Sequence, residues 1–192
     1  MIKELVFMLE EPSAKAMLES VLPRFLDDTI TTRIFYFEGK QDLEKNVVRK
    51  IQLYQNPNAR FIVIRDQDSQ PNCMVTKNKL LDLCKKTGKS HHCLVRIACR
   101  ELETIYLADL QAVEKGLDIK NINKLQETKK FRSPDQLENP KKELKVLTNN
   151  KYQNISGSRE IGKHLDLNNT RSPTFKNILG AVKKWEADLL SV

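Results

Sequence analysis

The chain lacks most of the signatures that reveal a function at first inspection. Only 6 of its 192 residues are glycine. None of them builds the glycine-rich turn that cradles a nucleotide phosphate, so neither a P-loop nor a dinucleotide fingerprint is available. Internal repeats and low-complexity tracts are absent too, which excludes solenoids and arrays. The longest apolar runs are about five residues, as in Leu5 to Leu9, against the ~20 that a bilayer-spanning helix requires. No membrane contact is expected. At the N-terminus Lys3 and Glu4 precede a strand-like run, not a basic start followed by a long apolar stretch, so a cytoplasmic protein is the default expectation.

Cysteine is scarce as well. Cys73, Cys84, Cys93 and Cys99 never form a Cys-x-x-Cys pair, and reduced thiols in the core or at the surface are the plain expectation. The run His91-His92-Cys93, with Cys99 nearby, has the residue types of a zinc site. It lies at the start of an apparent buried strand, where zinc is the weaker interpretation.

Charge, by contrast, is plentiful. Lys and Arg outnumber Asp and Glu by 33 to 25, for a net charge of +8, and such an excess favours an anionic partner such as nucleic acid without proving one. A chain of 192 residues can bury a full core, as one domain with room for a helical extension.

Through the first half, short β-branched or aromatic runs alternate with stretches of helical period, the pattern of a βαβ protein with a parallel sheet. Strands are expected at Lys3 to Glu10, Thr32 to Glu38, Arg60 to Asp66 and His92 to Cys99. Helices are expected at Ser13 to Leu26 with a bend at Pro23, at Gln41 to Tyr54, at Thr76 to Lys86 and from Arg100 to about Glu114. An α/β core over residues 1–116 follows, with a mostly parallel four-stranded sheet between helices. Residues 117–192 form a loop-rich and helical extension. Within it the polar stretch from Leu117 to Lys151, broken by Pro134 and Pro140, reads as loops and short helices. Ser172-Pro173 then opens a helix whose apolar stripe, Phe175, Ile178, Leu179, Val182 and Trp185, ends near Leu190 and packs back on the sheet.

The chemistry-bearing residues gather at strand ends. Glu10 follows four apolar residues where strand one turns into a helix, and Asp66-Gln67-Asp68 closes strand three. Right-handed crossovers place both ends on one edge of the sheet, where open α/β folds bind ligands. Period-two spacing sends Asp66 and Asp68 to one side if the strand continues that far. Gathered carboxylates repel one another, and a divalent ion relieves the repulsion. Oxygen-only donors suit Mg2+ or Mn2+, with water and substrate phosphate completing the shell. The alternative is that acids sit at strand ends because loops are solvated.

Arg100-Glu101-Leu102-Glu103 opens the helix after strand four on the same edge. Glu101 is a candidate ligand or general base, and Glu103 and Asp109 are supporting acids, with Asp109 two turns beyond Glu101 on one stripe. Arg65 and Arg100 are candidates for phosphate charge. In the tail, Arg159, Lys163, His164 and Arg171 flank Ser172. Lys163 and Arg171 are the phosphate candidates there, with a solvated basic face as the alternative.

These residues resemble a Toprim domain, the fold of topoisomerases, bacterial primases and nucleases of the overcoming-lysogenization-defect type. That family places a Glu after strand one and Asp-x-Asp after strand three, here Glu10, Asp66 and Asp68. More closely, Leu5 to Leu26, Phe61 to Ser69, Leu94 to Asp109 and Ser158 to Phe175 are similar to a bacterial family of unknown function often encoded beside an ATPase in defence loci. The resemblance implies a magnesium-dependent nuclease acting on DNA or RNA with an ATPase partner, and it leaves oligomeric state open. One departure stands out, because Toprim domains usually follow the first Glu with Gly and Glu11 occupies that place. Glu11 is thus a substitute ligand, a modifier of metal preference or the mark of a site without catalysis. A non-catalytic partner that docks on an ATPase is the second hypothesis. A receiver-like phosphoacceptor fits less well, since it needs a Lys after a fifth strand.

Overall fold

The computed structural model describes residues 2–191. Four strands, β1 (Glu4–Leu9), β2 (Thr31–Tyr36), β3 (Arg60–Asp66) and β4 (Cys93–Ala98), form one sheet in the order β2-β1-β3-β4. Every neighbouring pair is parallel. Every residue of β1 is buried, as is β3 up to its last residue. Both strands therefore read as continuous apolar runs, the mark of a sheet covered on both faces. Edge strand β2 is largely exposed.

Each pair of strands needs a crossover, and helices supply them: α1 (Pro12–Val21), α2 (Lys40–Gln52) and α3 (Cys73–Lys86). Leu43, Val47 and Leu80 from α2 and α3 pack with Val6, Met8, Phe61 and Val63 on one face. On the other, Leu5, Phe7, Ile62 and Ile64 meet Met17 of α1 and Phe175 and Val182 of the last helix. Burying each such side chain contributes roughly 1.5–3 kcal/mol before entropy is counted.

Two helices differ from the sequence expectation. Rather than bending and continuing to Leu26, α1 ends at Val21 and Leu22–Arg24 form a 3-10 turn, because Pro23 has no N–H to continue the ladder. The helix expected from Arg100 to Glu114 is two helices, α4 (Glu103–Leu107) and α5 (Leu110–Leu117). Asp109 divides them by capping α5, its Oδ1 accepting from the Ala112 N–H at 3.0 Å. Glu101 precedes α4, so the proposed Glu101–Asp109 stripe does not form.

The polar stretch contains two 3-10 turns and the short α6 (Pro140–Leu147). It is followed by α7 (Asn154–Gly162). This helix lies close on α1 and α5: a Cβ at Gly116 would stand 2.7 Å from the Ile161 backbone, and one at Gly162 would stand 3.0 Å from the Met17 carbonyl. The final helix, α8 (Pro173–Leu190), begins as its cap predicts, with Ser172 Oγ accepting from Phe175 N–H at 3.1 Å. It packs on the sheet, and buried Trp185 donates from Nε1 to the Phe61 carbonyl at 3.1 Å. Among the described residues no helix is long and apolar enough to cross a membrane.

Candidate functional site

Because β1 and β3 are parallel neighbours with Leu9 opposite Ile64, their C-terminal ends open on one edge. Glu10 is the first residue beyond β1, and its N–H still reaches the Ile64 carbonyl at 3.2 Å. Its Oε2 accepts the N–H of Asp66, the last residue of β3, at 3.1 Å. Asp66 Oδ2 in turn accepts the N–H of Leu102, just before α4, at 3.3 Å. Main-chain donors from the end of β3 and the start of α4 thus hold the two carboxylates. Between them lies a cleft of about 10 Å³ bordered by Glu11, Ser13, Arg65 and Leu102, room for about one water or one ion.

The electrostatics follow from that crowding. Burial, then Glu103, Glu10 and Glu11, push the Asp66 carboxyl well above its ordinary value, against the pull of the Leu102 N–H. Burial and the charge of Asp68 likewise raise Glu10, with the Asp66 N–H and Arg65 opposing. Glu103 is raised mainly by its burial on α4.

Asp68 stands apart. The strand stops at Asp66, and Asp68 adopts a left-handed backbone, φ 56°, as does Arg100 at φ 59°. The two loops are tied together where the Asp68 N–H donates to the Arg100 carbonyl at 2.8 Å. The Asp68 carboxylate meets Lys40 Nζ at 3.2 Å and Arg65 Nη2 at 4.0 Å. Buried Arg65 lies between acids, contacting Glu44 through Nη1 and standing 3.6 Å from Glu10 through Nε. Among the described residues no three His, Cys, Asp or Glu side chains converge as a metal-holding group. That covers the zinc possibility, in which Cys93 is instead buried and donates to the Lys89 carbonyl at 3.3 Å.

Lys141, at the start of α6, completes the edge from the extension. Its N–H donates to Glu101 Oε2 at 2.8 Å, and its Nζ stands 3.8 Å from Glu11 and 3.9 Å from Glu103. Burial pulls the Lys141 pKa down, but Glu103, Glu11, Glu101 and Asp66 together push it above the ordinary lysine value. Behind it the Tyr152 hydroxyl donates to Glu103 Oε1 at 2.9 Å and contacts Ser158 Oγ at 3.1 Å. Glu11 precedes α1 in an extended conformation, φ −133° and ψ 154°, without a side-chain cap bond. The usual glycine is therefore not required there by backbone geometry.

The structure brings together Glu10, Glu11, Asp66, Glu101 and Glu103, with Arg65, Asp68 and Arg100 beside them. It does not bring the other three predicted residues there. Asp109 is a cap whose Oδ2 accepts from the Asp166 N–H at 2.7 Å. Lys163 pairs with Glu160 at 2.6 Å beyond the far end of α7, and Arg171 pairs with Glu127. Lys40, Lys141 and Tyr152 also stand at this edge, and no sequence motif marks them.

Oxygen donors alone, in a cleft the size of one water, fit a hard divalent ion held by two protein carboxylates. The fold and this edge define a class, an α/β domain with an all-parallel sheet whose acids collect at the carboxyl ends of its two central strands. Within that class the chain belongs to the family described as domain of unknown function DUF4276, whose model matches residues 9–183. Among solved structures, the C-terminal region of the Xanthomonas campestris pv. campestris OLD protein is similar, with a TM-score of 0.54. The match covers 97% of this chain and 96% of that one at 12% identity, a likeness of fold. No curated protein matches the sequence.

Proposed function

We propose that this protein is a Toprim-type phosphodiesterase that cleaves DNA or RNA with Mg2+ or Mn2+. The observation that carries the proposal is the junction of Glu10 and Asp66, 3.1 Å from carboxylate to N–H, at the mouth of the sheet. Burial and mutual repulsion raise both carboxyls, and a cation between them removes that penalty. Glu10 and Asp66 would hold the ion, and Asp68 would join on leaving Lys40. Bound there, the metal would activate water and polarise a backbone phosphate.

The chain's own residues supply the rest. Lys141 presents a cation at the edge, where charge develops on phosphate oxygens. Glu101 is oriented by the Lys141 N–H and is the candidate base. Arg65 is hydrogen-bonded to Glu44 and places its charge 3.6 Å from Glu10, and Arg100 stands on the loop beside Asp68. The likeness of fold to the OLD C-terminal region, taken with the Toprim resemblance of the strand-end acids, supports a nuclease at this coarse level. An ATPase partner and a role in defence are carried by the resemblance and belong to the same proposal.

The test is Mg2+- or Mn2+-dependent cleavage of plasmid DNA, single-stranded DNA and tRNA, with thermal melting as the control for folding. Asp66→Ala should lose turnover by at least about a thousandfold, equivalent to ~4 kcal/mol of transition-state stabilisation. Wild-type cleavage by both Asp66→Ala and Glu10→Ala would end the proposal. A second interpretation, a non-catalytic nucleic-acid or ATPase-binding partner, is favoured by Asp68 resting on Lys40 and Arg65. Metal-insensitive binding without turnover by a folded protein would select it.

A further inference from the structure

A groove of about 500 Å³ opens between β4, α8 and the loop before it. Arg96, Lys176 and Lys183 supply its charge and Asn168, Asn169 and Asn177 much of its polarity, and no acid lines it. Some exposed cations elsewhere are met by carboxylates, as in Lys85 with Asp82 at 2.8 Å and Lys163 with Glu160 at 2.6 Å. Among the described residues none of the three groove cations has a carboxylate within 4.0 Å.

Arg96 is fixed without being neutralised. Its Nε donates to the Asn177 carbonyl and its Nη1 to the Val95 carbonyl, each at 2.8 Å. Burial alone draws its pKa below the ordinary arginine value. A cation kept partly out of water without a counter-ion is costly until an anion arrives from outside. Lys176 and Lys183, both exposed, are seven positions and two turns apart on one face of α8, roughly 10 Å along its axis. Between them, a Cβ at Gly180 would meet no atom within 4 Å, so the floor of the groove stays open.

The groove leads toward the acidic edge. The Cys99 N–H donates to Thr174 Oγ1 in the first turn of α8 at 3.0 Å, and the next residue, Arg100, accepts from Asp68 N–H. Lys176 follows Thr174 by half a turn. A cluster of carboxylates repels a polyanion, so a strand lying across it has to be held by cations nearby. We infer that this groove is a rail for a nucleic-acid backbone, its cations meeting successive phosphates. No aromatic residue lines it, so it tracks phosphates and does not stack bases. The direction of the rail rests on the phosphodiesterase proposal, whereas its test does not.

The experiment is fluorescence anisotropy of a labelled single-stranded oligonucleotide with the full chain in EDTA, where no metal-dependent cleavage occurs. Lys176→Gln/Lys183→Gln is compared with Lys85→Gln/Lys86→Gln, which removes the same charge from α3. The groove pair should weaken binding about tenfold and flatten the slope of log K against log[salt] by about 1.4, the value for two lost phosphate contacts on a single strand. The α3 pair should change affinity by less than about threefold. Equal weakening by both pairs, no change in the groove pair, or no binding by the wild type would each overturn the rail. So would displacement of the oligonucleotide by polyglutamate as readily as by unlabelled oligonucleotide at equal charge. Asp66→Ala should bind at least as well as wild type. Loss of the groove effect sinks the rail alone, and unimpaired cleavage by Asp66→Ala and Glu10→Ala sinks the phosphodiesterase proposal alone.

Discussion

The α/β core and the C-terminal extension make opposite contributions to the same edge. Glu10, Glu11, Asp66, Glu101 and Glu103 all come from the core, and the groups that meet them across the fold, Lys141 and the Tyr152 hydroxyl, come from the extension. Glu10 and Asp66 are held by strand-end and helix-start N–H groups, so their geometry is inherited from the ladder. The extension's groups reach the edge only through packing of α6 and α7 against α4, α5 and α1. The core thus creates a charge conflict that its own Arg65 and Lys40 relieve only in part, the extension adds Lys141 and Tyr152, and perturbing the contact between the regions separates the two contributions.

The largest effect is expected where the regions touch by backbone. Gly116→Ala drives a methyl to 2.7 Å from the Ile161 Cα and N, and main chain cannot rotate away as a side-chain end can. A loss of about 3 kcal/mol is expected, lowering the thermal midpoint by roughly 6–12 °C. Retained metal-dependent cleavage at low temperature would show that the core keeps its acids placed when the joint loosens. Tyr152→Phe should cost about 2 kcal/mol, since it leaves the buried Glu103 without its hydroxyl donor. A denaturant midpoint equal to wild type would remove Tyr152 from the edge's electrostatics.

The two regions also differ in their response to pH. Burial first of all raises Glu103, with Lys141 and the Tyr152 hydroxyl opposing. A folded-state pKa above the unfolded value, about 4.3 for Glu, means the folded protein holds the extra proton. Stability then falls as pH rises from ~4.3 through the folded value. Glu103→Gln cannot ionise, so its stability relative to wild type should be flat below that pH and should climb above it. A tenfold difference in proton affinity between the folded and unfolded chains corresponds to about 1.4 kcal/mol. If wild type instead gains on the variant above ~4.3, the Lys141 ion pair outweighs burial, and the extension is a stabilising partner in place of a moderating one.

The same asymmetry explains which features are legible in the sequence alone. β3 falls at Arg60–Asp66 as expected, because seven consecutive residues carry a local pattern that ends in an acid. Glu10 and Asp66 follow from the strand-end rule once β1 and β3 are neighbours. Asp68 does not follow, since period-two reasoning extends a strand that stops at Asp66 and turns left-handed at φ 56°. Asp109 fits one long helical stripe on spacing alone, yet its side chain is a good cap type, and the cap prevails. For Lys141 there is no signal. It is one lysine among many in a polar stretch, and only the docking of α6 distinguishes it. Helix α7 has a diluted apolar pattern with two glycines, because it is held by close backbone approach to α1 and α5.

The smallest effect belongs to the one part of the extension whose start is legible from sequence. Ser172 Oγ accepts the Phe175 N–H at 3.1 Å while Pro173 occupies the first turn, where a missing N–H costs nothing. Ser172→Ala should therefore cost only about 1 kcal/mol, because α8 is secured chiefly by Phe175, Ile178, Val182 and Trp185 against the sheet. The same cap stands two residues from Thr174, whose hydroxyl receives the Cys99 N–H beside the acidic edge. Fraying at α8 would accordingly weaken oligonucleotide affinity before the melting temperature falls appreciably. A Ser172→Ala variant destabilised by more than about 3 kcal/mol would mean that the cap, and not the apolar stripe, holds the extension to the core.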